Sequence, residues 1–413
     1  MTSTKWIRIA CFNLLLVALI GVILRYKILF SLPFVDQKHL LHGHSHFAFA
    51  GWVTQILMVL LIDAVGTQKN QPLFPKYQWL LIGNLITAYG MLLSFPVQGY
   101  GLFSISFSTL SIIVSYVFAI TLWKDINTIK QKQVSHLWFK AALLWSVLSS
   151  IGAFALAFMM ATKTVHQNWY LAAVYFFLHF QYNGWFLFAC MGLLFHQMYK
   201  ANCTLASSRK IFWLFAIACL PAYLLSTLWM HLPLIVYLLV IAAAFAQVIG
   251  WILIIKNVQQ LKQIFFSRKN NTAYILLCLS ALAFSIKLLL QLGSTIPSLS
   301  DIAFGFRPIV IGYLHLALLG VITLFILGYC LFTHSTIFNT TNKKGITIFA
   351  LGVVLNEVLL MLQGVTFMGY TIIPYMNEAL LFTAIVLFSG LLLLNFPIRK
   401  HKFVQHDLNH RTN

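Results

Sequence analysis

Residues 38–62 read KHLLHGHSHFAFAGWVTQILMVLLI, a histidine-rich segment that runs directly into an apolar one. Its histidines are His39, His42, His44 and His46. The apolar part is typical of a helix in lipid, so the imidazoles lie at or just inside a membrane boundary. A side chain that ionises or binds a metal is costly to desolvate there, which makes it a functional candidate. Histidine also ligates heme iron and copper readily.

The whole chain of 413 residues has the composition of a membrane protein, with 61% hydrophobic and only 8% charged residues. Soluble domains carry about 25% charged residues. We predict an all-α, polytopic fold of twelve transmembrane helices, forming a single domain over residues 1–413, and a first span that is retained rather than cleaved. The spans lie near 9–30, 39–65, 78–98, 101–123, 137–161, 168–198, 210–230, 234–255, 273–296, 308–332, 346–370 and 377–396.

The net charge of +20 is spread over short loops, which fits the positive-inside rule better than nucleic-acid binding. With a cytoplasmic N-terminus, 20 lysines and arginines fall on the cytoplasmic side and five on the other. Those five are Arg25, Lys27, Lys38, Lys163 and Arg307. We therefore expect a multi-pass protein of the cytoplasmic (inner) membrane, with both termini cytoplasmic, the lipid bilayer as its surroundings and no nucleic-acid partner.

This topology gives each histidine a depth, because spans two, six and ten all enter from the outer face. At 1.5 Å per residue, His46 and His315 are nearly level, and His42 lies about one turn higher. His179 is deeper in span six, and His231 closes the outer end of span seven. We expect the remaining histidines, which fall near the cytoplasmic boundary or in the tail, to be solvated. These are His136, His196, His334, His401, His406 and His410.

Two level histidines on different helices suit a heme with two imidazole ligands, inserted edge-on between the helices. Within span two, His39, His42 and His46 share one helical face, while His44 points elsewhere. An interhelical hydrogen bond is the alternative explanation for an intramembrane histidine. The depth match favours heme iron for His42 and His315.

Three motifs support a family resemblance: LLHGHSHFAFAG at 40–51, HFQYNGW at 179–185 and GYLHLALLGVITLFILGY at 312–329. Together with histidines in the second, sixth and tenth of twelve spans, they resemble the heme–copper oxidase subunit I superfamily. The cbb-type oxidases and bacterial nitric oxide reductases are its most similar members. The outline is also similar to the NnrS family of polytopic heme proteins.

The resemblance implies a low-spin heme b between helices two and ten. His42 and His315 match its ligand positions, because Gly51 follows His42 by the family's spacing of nine, and His46 is the second candidate on helix two. His179 matches a copper-ligand position. His231 is the other histidine to consider for a metal, so copper is a further expected cofactor beside heme.

The sequence also departs from the family pattern. Tyr313 stands where the family has the histidine of the high-spin heme, and Asn183 stands where a glutamate or tyrosine is found. Span seven has no adjacent pair of histidines, only His231 at its end. Complete terminal oxidase activity is therefore not expected, and whether the chain is an enzyme stays open.

Several other polar residues have two explanations each. Arg307, with Arg25, Lys27 and Lys38, could neutralise heme propionates or could be ordinary interfacial charges. Lys287 and Glu357 lie deep in spans nine and eleven, where they are expensive in lipid. They could form a proton path or a structural polar contact.

We expect an integral-membrane heme protein that transfers electrons or handles a small gas (NO or O2) or copper, in association with respiratory-chain subunits. One alternative is a transporter that uses the same histidines for protons or a metal ion. The lack of an evident internal repeat weighs against it. The other alternative is a non-catalytic subunit or assembly factor of a respiratory complex.

Overall fold

The structure is a computed structural model that describes residues 2–164, 166–203, 205–230, 232–266, 271–300 and 307–396. Within these ranges the regular elements are helices, with no strand. The long helices are α1 Ser3–Leu29, α2 Gln37–Lys69, α3 Phe74–Gln98, α4 Leu102–Asn127, α5 Val134–Ala161, α6 167–200, α7 Ser208–Met230, α8 Leu234–Ile255, α9 Asn271–Gly293, α10 Pro308–Thr333, α11 Thr340–Met368 and α12 Met376–Leu394. A short helix, Val258–Phe266, follows α8.

Eleven of these helices are long and apolar enough to cross a membrane, and the exception is α6. Its middle carries His179, Gln181 and Asn183, which lower its hydropathy. The fold is therefore that of a multi-pass helical membrane protein, as predicted. The predicted ends differ most, by six residues, at the starts of α1 and α11. At α11 the helix extends into polar sequence because the Asn339 side chain accepts a hydrogen bond from the backbone N–H of Asn342 (2.7 Å).

Consecutive helices pack against each other, and α12 returns to α1, so the outer layer closes on itself. Helix α2 lies inside this layer: 83% of its most apolar stretch is buried, compared with 17% for α4. The residues of α6 from His179 to Met198 are also almost all buried. The core is thus built around α2, α6 and α10, the three helices that carry the predicted intramembrane histidines.

Each of these three helices contains a π-helical segment, at Ala48–Thr54, Phe180–Phe186 and Leu316–Thr323. Such a segment widens the helix, and it is often found at a functional site. Polar side chains from neighbouring helices contact the altered backbone. Asn13 and Asn84 donate to the carbonyls of Gly51 (2.6 Å) and Ala50 (3.0 Å). Ser280 donates to the carbonyl of Val321 (2.7 Å). Because lipid offers no water, these bonds stabilise the bent backbone.

The three segments share a repeated pattern in which a histidine is followed five residues later by a glycine. The pairs are His46 and Gly51, His179 and Gly184, and His315 and Gly320. The residue after the glycine then contacts the next inner helix. Trp52 donates its indole N–H to Thr323 (3.1 Å), and Trp185 donates to Thr54 (3.3 Å). The three inner helices thus share a local pattern that was not predicted from the sequence.

The repeat connects the inner helices in a cycle. Thr54 and Thr323 occupy the same place in the pattern, eight residues after its histidine. The π-helical segments of α6 and α10 also contact each other, and the equivalent positions of the pattern there hold Val321 and Leu187. Hydrogen bonds therefore connect α2 to α10 and α6 to α2, whereas the equivalent side chains between α6 and α10 are apolar.

We predict that Gly184→Ala destabilises the protein by about 1–3 kcal/mol, a typical cost of overpacking. A Cβ atom at this position would lie 2.6 Å from Cβ of Trp145 on α5. Gly83→Ala is the matched control, since its Cβ would lie 3.4 Å from Val114 Cγ2, a van der Waals contact. Thermal unfolding of the two variants in detergent tests this. Equal melting temperatures for both variants would contradict the prediction.

Candidate functional site

The histidines of α2 are divided between two faces of the helix. As predicted, His39, His42 and His46 share one face, which packs against the end of α3 and the loop after it. The His46 ring stacks on Phe95, with centroids 4.4 Å apart and planes 15° apart. The His42 ring meets Tyr100 edge-on at 4.8 Å. This face is turned toward α3.

His44 lies on a different face, against α1. A Cβ atom placed on Gly21 would be 3.6 Å from Cε1 of His44, so the glycine lets the ring approach α1 closely. The ring interacts with the backbone of Val17, one turn from Gly21. Among the described residues, Nδ1 of His44 has no hydrogen-bond partner although it is buried. An unpartnered buried nitrogen is costly, so it marks a position where a ligand would be stabilising.

His315 on α10 is close enough to His44 for the two rings to interact electrostatically. Its Nδ1 donates to the carbonyl of Ile311 at 2.8 Å. In a neutral imidazole the lone pair then lies on Nε2. A backbone acceptor on one ring nitrogen is the usual way to orient a histidine that binds a metal through the other.

The bond between Trp52 and Thr323 sets the relative height of these two histidines. His44 lies eight residues before Trp52, and His315 lies eight residues before Thr323. Each histidine is therefore eight residues from the hydrogen bond along its own helix, and each stretch includes π-helical turns. The two imidazoles consequently lie at a similar depth in the bundle, about 12 Å from the bond along the helix axes. The sequence placed His46 level with His315, because the stagger between the helices was unknown.

A cavity of about 410 Å³ lies between α1, α2, α10, α11 and α12, on the side of the two histidines toward the starts of α2 and α10. Its lining includes Gln37, two helical turns before His44 on the same face, and Ile311, one turn before His315. Its polar lining residues are Arg25, Lys27, Gln37, Gln363 and Asn377, with apolar residues between them. Arg25 also interacts electrostatically with His315. None of the lining residues is a carboxylate, so the cavity favours an anionic group.

The structure thus places His44 and His315 in the same region of the bundle, within range of an electrostatic interaction, whereas His42 and His46, the predicted helix-two ligands, face α3. His44 was not selected as a ligand from the sequence, because it is not on the helix face shared by the other three histidines. Its spacing of seven residues from the polar Gln37 was a sequence feature that could have identified it, since this spacing puts both side chains on one face of α2. All of His231 and the side chain of Arg307 lie outside the described residues.

His179, predicted at a copper-ligand position, has both ring nitrogens in hydrogen bonds. Nε2 donates to the carbonyl of Cys219 at 2.9 Å. Nδ1 accepts from the side-chain amide of Asn183 at 3.1 Å. In this arrangement neither nitrogen has a free lone pair for a metal. Asn183 therefore positions His179.

Tyr313, predicted at the high-spin heme position, packs against Tyr182 of α6 with ring centroids 6.3 Å apart. The ammonium of Lys287 lies 5.9 Å from the centre of the Tyr313 ring and donates to Gln291 Oε1 at 2.9 Å. Lys287 is only 3% exposed. Glu357 on α11 has a different partner, Asn356, at 3.2 Å. The two intramembrane charges therefore do not form one polar path through these contacts.

In this part of the core, Tyr313 lies next to Tyr182 and to the ammonium of Lys287. Across the part of the chain that the structure describes, no group of three or more histidine, cysteine, aspartate or glutamate side chains is arranged to hold a metal ion.

Two histidines predicted to be solvated are buried instead. His136 and His196 are 4% and 2% exposed, and the side chain of Gln68 connects them. Its Oε1 accepts from His136 Nε2 (2.5 Å), and its Nε2 donates to His196 Nδ1 (2.8 Å). The amide satisfies both imidazoles, which explains their burial at the start of α5 and the end of α6.

No protein-family model and no curated protein matches this chain. The resemblance to the heme–copper oxidase superfamily therefore stays an expectation based on the short motifs.

We predict that Lys287→Met raises the melting temperature, corresponding to about 1 kcal/mol or more. Among the described residues no carboxylate pairs with Lys287, so the amine is buried without a counter-charge. Methionine keeps the length of the side chain and removes the polar group. Lys140→Met is the control, because Lys140 is a partly exposed lysine next to Trp123. A lower melting temperature for Lys287→Met alone would show that the ammonium is stabilising.

Proposed function

We propose that this chain is a heme b protein of the cytoplasmic membrane, that His44 and His315 would hold the iron, and that it transfers electrons. The observation that carries the proposal is the buried, unpartnered Nδ1 of His44, which lies within electrostatic range of His315. Both rings are oriented by backbone groups of neighbouring residues, Val17 and Ile311. Each can therefore offer one nitrogen to a metal without losing its existing contact.

The cavity fits the remaining needs of a heme. Arg25 and Lys27 line it together with apolar side chains, and a heme has an apolar ring edge and two anionic propionates. Gln37, Gln363 and Asn377 also line the cavity and provide hydrogen-bonding groups. Its volume of about 410 Å³ is within the range of about 300–1,000 Å³ found for cofactor pockets.

Two imidazole ligands favour electron transfer over binding of a gas. A bound heme would supply one-electron redox chemistry, and His44 and His315 would both hold its iron. NO or O2 would then have to displace one of them, and His315 is held by the hydrogen bond from its Nδ1 to the carbonyl of Ile311. The protein's part is to orient the two rings, exclude water and neutralise charge. The partner would then be an electron donor or acceptor, such as a respiratory-chain subunit.

Heme content of the purified variants tests the ligand assignment. We expect His44→Ala and His315→Ala each to lose the b-type α-band of the reduced-minus-oxidised spectrum and at least nine-tenths of the bound heme. His42→Ala keeps both, because its ring faces Tyr100. If His42→Ala loses heme and His44→Ala keeps it, the ligand is His42. A colourless wild-type protein would overturn the proposal in favour of a transporter or a non-catalytic subunit.

We also propose twelve membrane spans with both termini cytoplasmic. Helix α6 is long enough to cross the bilayer, and its polar residues are buried against other helices. The distribution of lysine and arginine supports the same orientation.

A cysteine introduced at Ser31, in the loop between α1 and α2, tests this orientation. We expect an impermeant maleimide to label it in intact cells and to leave a cysteine at Ser207, before α7, unlabelled until the cells are opened. All native cysteines are free, so the assay uses a background in which they are replaced. The reverse labelling pattern would contradict the topology.

A further inference from the structure

The proposed heme site does not explain His42 and His46 on the α3-facing side of α2, nor Tyr100 in the loop that packs against them. We propose that His42, His46 and Tyr100 form a second metal site, separate from that of His44 and His315, for a divalent first-row transition metal such as Zn²⁺. The ligands are Nε2 of both histidines and the hydroxyl oxygen of Tyr100, with water completing the coordination. This inference does not depend on heme binding.

The spacing of the two histidines is that of a metal-binding pair. Residues four apart on a helix lie one above the other on the same face. Two histidines at this spacing are a known arrangement for zinc on a helix. Both imidazoles contact the ring of Tyr100, with centroids 4.8 Å and 6.3 Å away, and both contact the ring of Phe95. The two rings therefore occupy one aromatic pocket.

The distance between His46 and Tyr100 suits two ligands of one metal better than a hydrogen bond. Nε2 of His46 and Oη of Tyr100 are 3.5 Å apart. That is longer than the usual 2.7–3.2 Å of a nitrogen–oxygen hydrogen bond. Two ligands at about 2.0–2.2 Å from a tetrahedral ion are about 3.4 Å apart. In addition, Nε2 of His42 is buried and lacks a hydrogen-bond partner within the described part of the chain.

The loop that carries Tyr100 is held firmly against α2. Gly99 has a φ of 60°, and its N–H donates to the carbonyl of Phe95 at 2.8 Å. Its carbonyl accepts from Ser104 Oγ at 2.6 Å. A Cβ atom on Gly99 would lie 2.4 Å from His39 Nε2, so the close contact of loop and helix requires glycine. The Tyr100 hydroxyl is therefore presented to the histidines by a fixed backbone, which lowers the cost of binding an ion.

The chemistry of these ligands selects the class of ion. Imidazole suits zinc, copper, cobalt and nickel, whereas calcium and magnesium prefer oxygen ligands. Because no third histidine, cysteine or carboxylate joins the two histidines among the described residues, the phenol has to be a ligand. A site with three protein ligands keeps one coordination position open. Tyr100 is 40% exposed, so an ion can enter from the surface.

The test uses the purified full-length protein, stripped of loosely bound metal and titrated with Zn²⁺ or Co²⁺. We expect one Zn²⁺ per chain beyond any heme iron, and visible d–d absorption of tetrahedral Co²⁺ that excess Zn²⁺ abolishes. His42→Asn and His46→Asn should each weaken Zn²⁺ binding at least tenfold, and Tyr100→Phe severalfold. His39→Asn is the matched control, on the same face but against Gly99, and should bind as the wild type does.

Size-exclusion elution of each variant shows whether it is folded, and Tyr100→Phe removes a ligand atom with the least change in packing. His44→Ala separates this site from the heme site, since it should lose heme and keep Zn²⁺. The inference is overturned if the wild type takes up no stoichiometric Zn²⁺ or Co²⁺. It is also overturned if a folded His42→Asn, His46→Asn double variant binds both ions as tightly as the wild type.

Discussion

The hydrogen bond between the Trp52 indole and the Thr323 hydroxyl fixes how α2 and α10 are placed along each other, and the bond from Trp185 to Thr54 does the same for α6 and α2. Apolar packing alone does not fix how far two helices are shifted along each other in lipid, because similar aliphatic side chains pack about equally well at several offsets. A buried polar group has few alternative partners there, so each bond selects one register. The level of His44 and His315, and with it the candidate heme site, follows from that register.

Much of the fold could be predicted from the sequence, because each apolar run had to be a helix of membrane-spanning length. The repeat was not predicted, since it rests on widely separated glycines and histidines in otherwise variable apolar sequence. For the candidate site, the sequence could predict the depth of His315 and its pairing with a histidine of α2. It could not predict which histidine of α2 is the partner, because that depends on the stagger of α10 relative to α2 and on Gly21 of α1.

The histidines of the segment 39–46 point in two different directions from α2. His44 faces α1, on the side of α2 where Gln37 lines the electropositive cavity, while His42 and His46 face an aromatic pocket formed by Phe95 and Tyr100. The two directions arise from helical periodicity alone, since adjacent even-numbered positions are about 200° apart around the axis. One short segment can therefore serve two neighbouring spaces between helices, and it needs no loop to do so.

The π-helical segments also bear on how such a protein can change over generations. A π-helical turn accommodates one additional residue within a continuous helix, so it is the natural product of a single-codon insertion. Because the turn absorbs the additional residue, the residues on either side of it keep their directions around the helix axis, whereas an insertion into a regular α-helix would rotate one side by about 100° relative to the other. In α2, α6 and α10 the histidines lie before the π-helical segment and densely buried residues lie after it. A residue added at this point therefore leaves the histidines and the buried residues beyond it facing the same neighbours.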